Sequence, residues 1–522
     1  MAKRRNLKKA KSPPSRPPRG LVILTLAFVL AMLAATVVLW SHSTGQILAY
    51  GDAEAHLNIA RKLIDNRHPA YRELGTVWLP VPHLLMLPLL AIDPLYRNGL
   101  AGAIPSACCW VAAGVLLYAA IRKLAGAWEP TACAVAIFAF NPNLLYLAST
   151  PMTEPVFYME LAGLLYSLAS YRESGKVGAI IGAILWSWCA VLTRYEGWML
   201  LPVVALFLAA QRKWKHAAIY VAGASIAPLY WFAHNWWIYG DPLEFYRGEW
   251  SAKAIYQRGQ ARGATPYPGI GHWTVAIKYY LTAARVALDA PTLWIAAAGL
   301  IAALYKRWYW FVLLLIAAPL VTISGMESGG GVEIFVPPLW PFSYYNSRYA
   351  LALLPLAALG AAAIVALMPR FRGTTAIVLV LAAAAPWIAY PRPSNWVVWA
   401  ESQTNSVERR AWTHKVAAIL GPSYRPGDRI LYSFGDLTAI LREAGIPLRA
   451  GLQSGNQLEW LRTIARPDLY LDQDWVLDFE DGPAATAARG LRNPAYTVVT
   501  RIPRLHKEAA VVLLHRNPVT PQ

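Results

Sequence analysis

The sequence predicts a polytopic α-helical membrane protein of about eleven transmembrane helices, with a small α/β domain at the C-terminal end outside the membrane. Three observations carry that expectation. Of the 522 residues, 57% are hydrophobic and only 15% charged, and mean hydropathy is +0.35, too apolar for a soluble chain of this length. The apolar residues gather into runs that can cross the roughly 30 Å hydrocarbon core at 1.5 Å per residue. The Lys and Arg residues then fall at the ends of those runs, which is why a formal charge of +19 reads as a topology signal and not as a nucleic-acid surface.

Residues 1–20 hold eight Lys and Arg and no acid, so they form a basic tail expected in the cytoplasm. The run 21–40 has the length of a span and no convincing small-residue cleavage site, which favours a retained anchor over a signal peptide. Further spans are predicted near 100–121, 130–148, 155–171, 177–193, 198–210, 216–238, 286–304, 308–324, 348–367 and 374–390. With the N-terminus inside, every short basic loop becomes cytoplasmic: 122–123, 172–176, 212–215, 306–307 and 370–372. The segment 78–92 is apolar but short and carries Pro80, Pro82 and Pro88; counting it as a span would invert every later loop, so it is read as an interfacial or re-entrant helix. Cys108, Cys109, Cys133 and Cys189 lie in apolar runs and read as small packing residues. Residues 21–390 thus form a membrane domain with a first outer loop at 41–99. Residues 391–522 alternate helical stretches (406–420, 436–444, 457–465) with strand-like runs at 429–434, 468–472, 496–502 and 509–515, the pattern of an α/β domain.

The topology rests on basic residues alone, yet it gathers the acids at one face. Asp52 and Glu54 in "YGDAEAHLNIA", Glu154 in "STPMTEPVF", Glu196 in "TRYEGW", and Asp241 with Glu244 in "YGDPLEF" all fall at outer helix ends. Glu244 and Glu249 read as solvated loop acids. Asp52 either caps a helix beginning there or serves as a carboxylate that takes a proton or binds a metal ion, tasks that spacing does not separate. His56 lies four residues on, on the same helical face, while Ala53, Leu57, Ala60 and Ile64 make an apolar stripe suited to lying on the bilayer. His83, His234 and His272 are outer or interfacial and read chiefly as structural. A transporter, the main rival class, is expected to show internal repeats and charges near mid-membrane; here the acids sit at helix ends.

The acidic pair after the first span, the Pro-interrupted "TVWLPVPHLLMLP", "STPMTEPVF" opening one helix and "NSRYALALLP" opening a late one together resemble the GT-C superfamily of integral membrane glycosyltransferases. Within it, residues 20–390 are similar to the branch of protein O-mannosyltransferases and lipid A aminoarabinose transferases. The resemblance implies inverting transfer of a sugar from a polyprenyl-phosphate-linked donor, with the membrane lipid as medium and an acceptor left open among protein, lipid and glycan. It implies Asp52 as the general base toward the acceptor hydroxyl, and Arg348 with Tyr349 at the carrier phosphate, where a planar, permanently charged fork suits phosphate oxygens; the other reading of Arg348 is an interfacial anchor with Tyr349. Glu54 departs from branches with a single acid and is shared with metal-using relatives, so no cofactor is expected unless a divalent ion is held by Asp52, Glu54 and His56. His56, His83, Glu154, Arg194 and Glu196 are further pocket candidates, and Arg194 and Glu196 are also placed to pair with each other. The implied location is a bacterial inner or plasma membrane, with the sugar chemistry on the outer face.

Cysteine substitutions at Ser43 and Ser454 test this topology in intact cells. Both are expected to react with an impermeant thiol reagent from the outside; labelling of Ser454→Cys from the cytoplasmic side with Ser43→Cys protected would overturn it.

Overall fold

The computed structural model describes residues 19–491, 495–505 and 508–518; the basic tail lies outside them except for Arg19 and Gly20. Each of the eleven predicted windows is helical. Five helices are long and apolar enough to cross a membrane, Gly20–Ser43, Leu100–Ala125, Tyr309–Glu327, Ser347–Leu367 and Arg372–Ala389, or up to seven if each of two bent pairs makes one span. The protein is an integral membrane protein; the count of eleven stays an expectation. The helices predicted at 177–193 and 198–210 are short apolar elements, Val177–Val191 and Tyr195–Ala210.

The bent pairs account for their own backbone. Trp128–Ala139 and Pro142–Ala148 meet at 68°, and Trp273–Leu288 and Ala290–Tyr305 at 114°. At the second break Asp289 has φ of 71°, and the Ala287 carbonyl is left outside the helical ladder. Asn141 and Asn143, at the first break, both donate to that carbonyl at 3.0 Å, so the first break supplies what the second lacks, as a water-poor core requires. Trp273–Leu288 lies in a segment the sequence pattern assigned to an outer loop; Lys278 and Arg285 interrupt its hydropathy, while Tyr279, Tyr280, Ala283 and Ala287 bury one face.

Ala290–Tyr305 and Leu354–Leu367 approach closely. A Cβ on Gly299 would stand 2.4 Å from the Gly360 Cα, so the two backbones touch and nothing flexible lies between them. Small residues at such a crossing replace the hydrophobic drive that lipid removes.

The C-terminal domain follows the 27-residue helix Val397–Ser423. Its sheet has strands β1 (Ile430–Tyr432), β2 (Gly451–Gln453), β3 (Trp475–Phe479), β4 (Tyr496–Ile502) and β5 (Val511–Arg516) in the order β2-β1-β3-β5-β4. The β2-β1-β3 part is parallel and the β3-β5-β4 part antiparallel. One face, with Ile430, Tyr432, Trp475 and Leu477, packs on Trp412, Val416 and Leu420; the other, with Leu431 and Val476, packs on Trp460 and Ala484. The strand predicted at 468–472 is instead the short helix Pro467–Tyr470, opened by proline and exposing Leu469 and Tyr470. The strand is β3, five residues on. It is buried on both faces and so shows no alternation.

This domain sits on the first loop. Arg449 pairs with Asp65 at 3.3 Å, Asn456 donates to Asn66 at 3.3 Å, and Arg97 donates to the carbonyls of Leu441, Arg442, Gly445 and Ile446 at 2.9–3.1 Å.

The glycine crossing yields a direct test. Gly299→Val should lower stability by about 1–3 kcal/mol through overpacking, read as thermal unfolding in detergent, while Gly178→Val, at a glycine with open space around it, should shift it far less.

Candidate active site

Asp52 lies in the first turn of the helix Gly51–Lys62, which starts after an extended Tyr50 without a side-chain cap. The capping alternative for Asp52 is therefore not the arrangement found. Its carboxylate pairs with Nη2 of Arg348, in the 3-10 turn Ser347–Leu353. The same guanidinium donates through Nε to Glu154 Oε1 at 3.2 Å and through Nη1 to Glu401 Oε1 at 3.4 Å. One arginine thereby joins the first loop, the start of the helix Glu154–Ser174, the late 3-10 turn and the helix Val397–Ser423.

The cluster continues through Arg194, which donates to Glu154 Oε1 at 3.1 Å, to Thr153 Oγ1 at 2.9 Å and to Glu196 Oε1 at 2.7 Å. The pairing of Arg194 with Glu196 weighed from sequence is present. Tyr349 lies under both guanidiniums, 5.0 Å from Arg194 and 4.9 Å from Arg348, and Tyr50 lies 5.1 Å from Arg348. Aromatic faces over cations add to the ion pairing.

Exposure separates the members. The side chains of Arg348, Glu154 and Glu401 are 5%, 3% and 2% exposed, while Asp52 is 44% exposed. Among the carboxylate partners of Arg348, Asp52 is the one that solvent reaches. Burial pushes the Glu401 carboxyl above its ordinary range, opposed by Arg348 and by hydrogen bonds from Ser347, whose backbone N–H donates to Oε2 at 2.8 Å.

With this geometry the chain can be compared with known proteins. A family model described as dolichyl-phosphate-mannose-protein mannosyltransferase matches residues 94–237. The structure of ArnT from Cupriavidus metallidurans bound to undecaprenyl phosphate aligns over 96% of this chain and 99% of that chain, with 14% identity and a TM-score of 0.51. The chain shares the GT-C fold of that ArnT. The apo form of the same ArnT aligns over the same shares with a TM-score of 0.49. No curated protein matches the sequence. At 14% identity the likeness to ArnT is one of fold, and the roles of individual residues are argued from this chain's own geometry.

Within the GT-C fold the other candidates part company with Asp52. Glu54 is buried and accepts from Arg442 Nε at 2.7 Å and Nη2 at 3.0 Å, and from Asn58 Nδ2 at 3.0 Å. It faces the C-terminal domain. His56 Nδ1 lies 3.0 Å from His83 Nε2, and His83 Nδ1 lies 2.9 Å from the Leu79 carbonyl oxygen. That oxygen can only accept, so His83 carries its proton on Nδ1, its Nε2 accepts, and His56 is the donor through Nδ1. Burial keeps both rings neutral, lowering His56 well below its ordinary value and His83 to about 4.

Asp52, Glu54 and His56 therefore do not converge as a metal site: they turn to Arg348, Arg442 and His83, and among the described residues no three His, Cys, Asp or Glu groups stand together to hold an ion. The donor set does not fit a divalent cation. The apolar stripe on this helix also corrects the expectation, because Ala53, Leu57 and Ala60 are fully buried, the latter two against Met86, Leu90 and Tyr96, leaving only Ile64 exposed, beyond the helix end. His234 donates to the Gly75 carbonyl at 3.0 Å and stacks on Trp231, and His272 precedes the helix Trp273–Leu288. Glu401 and Tyr50 were missed from sequence. The signal available for Glu401 was an acid one turn into a helix opened by "NWVVWAES", whose first turn buries Val397 and Val398.

The Glu54–Arg442 pair is testable as a dock. Arg442→Met strands a buried carboxylate and should cost about 3–5 kcal/mol, with much of the loss recovered in the double variant Glu54→Gln/Arg442→Met; thermal unfolding and protease sensitivity of the C-terminal domain report both.

Proposed function

We propose that this protein transfers a sugar from a polyprenyl-phosphate-linked donor to an acceptor hydroxyl at the outer membrane face, with inversion, and that Asp52 is the general base. The observation that carries this reading is the Asp52–Arg348 pair: a half-exposed carboxylate held by a buried guanidinium at the opening of an otherwise enclosed charged cluster. The GT-C fold and the match to a mannosyltransferase family model support the reaction class. The undecaprenyl phosphate bound by ArnT supports the carrier class.

In the reaction the acceptor oxygen attacks the anomeric carbon, its O–H proton passes to Asp52, and the bond from that carbon to the phosphate oxygen breaks with its electrons leaving on the phosphate. Arg348 links these events. A donor phosphate competing for Nη2 frees the Asp52 carboxylate oxygen to accept from the acceptor hydroxyl. Glu154 and Glu401 hold the other two nitrogens of Arg348 and aim the fork. Tyr349 supports it from beneath. Glu54 acts through the C-terminal domain, and no step requires a metal ion. The C-terminal domain shares the outer face with Asp52 and closes the site through Glu401.

Asp52→Asn keeps shape but accepts no proton, so turnover should fall by about 10²–10⁴ with the protein folded. Arg348→Lys keeps the charge and loses the fork, weakening carrier-lipid binding by about 1.5–3 kcal/mol. Radiolabelled sugar transfer and carrier-lipid titration read the two effects. Near wild-type turnover in Asp52→Asn would remove Asp52 as the base.

A further inference from the structure

A second charged space lies away from Arg348. A cavity of about 650 Å³ opens where the first helix ends, with its walls supplied by the first loop, the helix Val397–Ser423 and the helix Thr438–Glu443. Four arginines line it, Arg97, Arg409, Arg410 and Arg442, against two carboxylates, Glu54 and Glu443. Both carboxylates are already engaged, Glu54 by Arg442 and Glu443 by His414 at 2.7 Å. Arg97 is engaged by Asp93 at 3.0 Å and by backbone carbonyls.

Arg409 and Arg410 differ from these. Among the described residues neither has a carboxylate within 4.0 Å. Arg409 is 9% exposed, and its hydrogen bonds run from Nη2 alone, to the carbonyls of Leu48 and Ala49 at 3.3 and 2.9 Å. Asp436 acts on it electrostatically from beyond ion-pair distance and is shared with Arg504. Arg410 is exposed and donates from Nη2 to the Gly45 carbonyl at 3.2 Å. One turn on from Arg409, Thr413 lines the same cavity, and its hydroxyl is buried without a hydrogen-bond partner. A guanidinium nine-tenths buried whose counter-charge lies beyond ion-pair distance can take a further oxyanion, and a carboxylate or phosphate suits its remaining N–H groups.

The geometry points to a second oxyanion site, in which Arg409 and Arg410 hold a phosphate group of a substrate separately from Arg348. Eight residues part Glu401, at the Arg348 cluster, from Arg409, about 12 Å along one helix. The arginines of the lining suit a phosphate, and the test below separates an acceptor-borne phosphate from that of the carrier lipid. That assignment to a substrate rests on the function proposed above; the anion site itself does not.

The test uses the full chain purified in detergent, titrated calorimetrically with glycerol 3-phosphate, with uncharged glycerol and with undecaprenyl phosphate. Glycerol 3-phosphate should bind and glycerol should not, and Arg409→Gln and Arg410→Gln should each weaken that binding by about tenfold or more. The amide introduced by Arg409→Gln keeps a donor for the Leu48 and Ala49 carbonyls, and the exposed Arg410 provides a variant with little folding risk. Loss confined to glycerol 3-phosphate supports the site and assigns it to a soluble or acceptor-borne phosphate; loss of undecaprenyl phosphate supports it and assigns it to the carrier. Glycerol 3-phosphate binding unchanged in both variants, or glycerol bound equally well, overturns the site. Absence of sugar transfer by the wild-type protein with the binding pattern intact would instead overturn the proposed function.

Discussion

The buried guanidinium of Arg348 is the constraint on which the site depends. A permanent charge at 5% exposure is tolerable only when its donors are met, and they are met by Asp52, Glu154 and Glu401 from three distant stretches of chain. Removing any one carboxylate leaves a donor of a buried cation unpaired, which is why the first loop, two helix starts and the C-terminal helix hold a common position. Asp52 is the one partner that water reaches, so the cluster has a single chemically addressable end. Arg194 extends the same logic, tying Glu154 to Glu196.

Behind this cluster the membrane helices solve a backbone problem. Two of them break, and a break in a water-poor interior leaves carbonyls without partners. Asn141 and Asn143 meet that need at Ala287, and Asn143 also accepts from the Val398 backbone N–H at 2.9 Å. Tyr50 donates to the Val398 carbonyl at 2.7 Å. The polar seam at the two breaks therefore also anchors the start of the helix Val397–Ser423, three residues before Glu401. Helix breakage, docking of the C-terminal domain and placement of a site carboxylate are one connected arrangement.

The ionic contacts between the C-terminal domain and the first loop have a different character. Glu54–Arg442 is enclosed, whereas Arg449 beside Asp65 is mostly exposed, so the first specifies the dock more strongly than the second. This makes sense of two acids spaced Asp-x-Glu with different fates. On a helix, positions two apart point about 200° from one another, so Asp52 and Glu54 face opposite sides, one toward Arg348 and one toward Arg442 of the C-terminal domain.

The sequence by itself determined the membrane class, the helical segments along it and the presence of strands in the C-terminal part, and it singled out Asp52 and Arg348, because hydropathy, charge position and short local motifs are properties of neighbouring residues. The GT-C resemblance was legible for the same reason, being carried by stretches such as "NSRYALALLP" that keep their local pattern. Only the tertiary structure decided that Glu54 serves Arg442, that His56 turns to His83, that Ala53, Leu57 and Ala60 are buried in protein, and that Glu401 completes the Arg348 cluster. Each of those outcomes depends on a partner 27 to 388 residues away, and on which face of a helix meets it. The strand β3 and the helix Trp273–Leu288 eluded the pattern on similar grounds: a strand buried on both faces has no alternation, and Lys278 and Arg285 interrupt the hydropathy of a helix that buries only one side. Periodicity reports the water boundary of an isolated element, and these elements acquire their boundary from the rest of the fold.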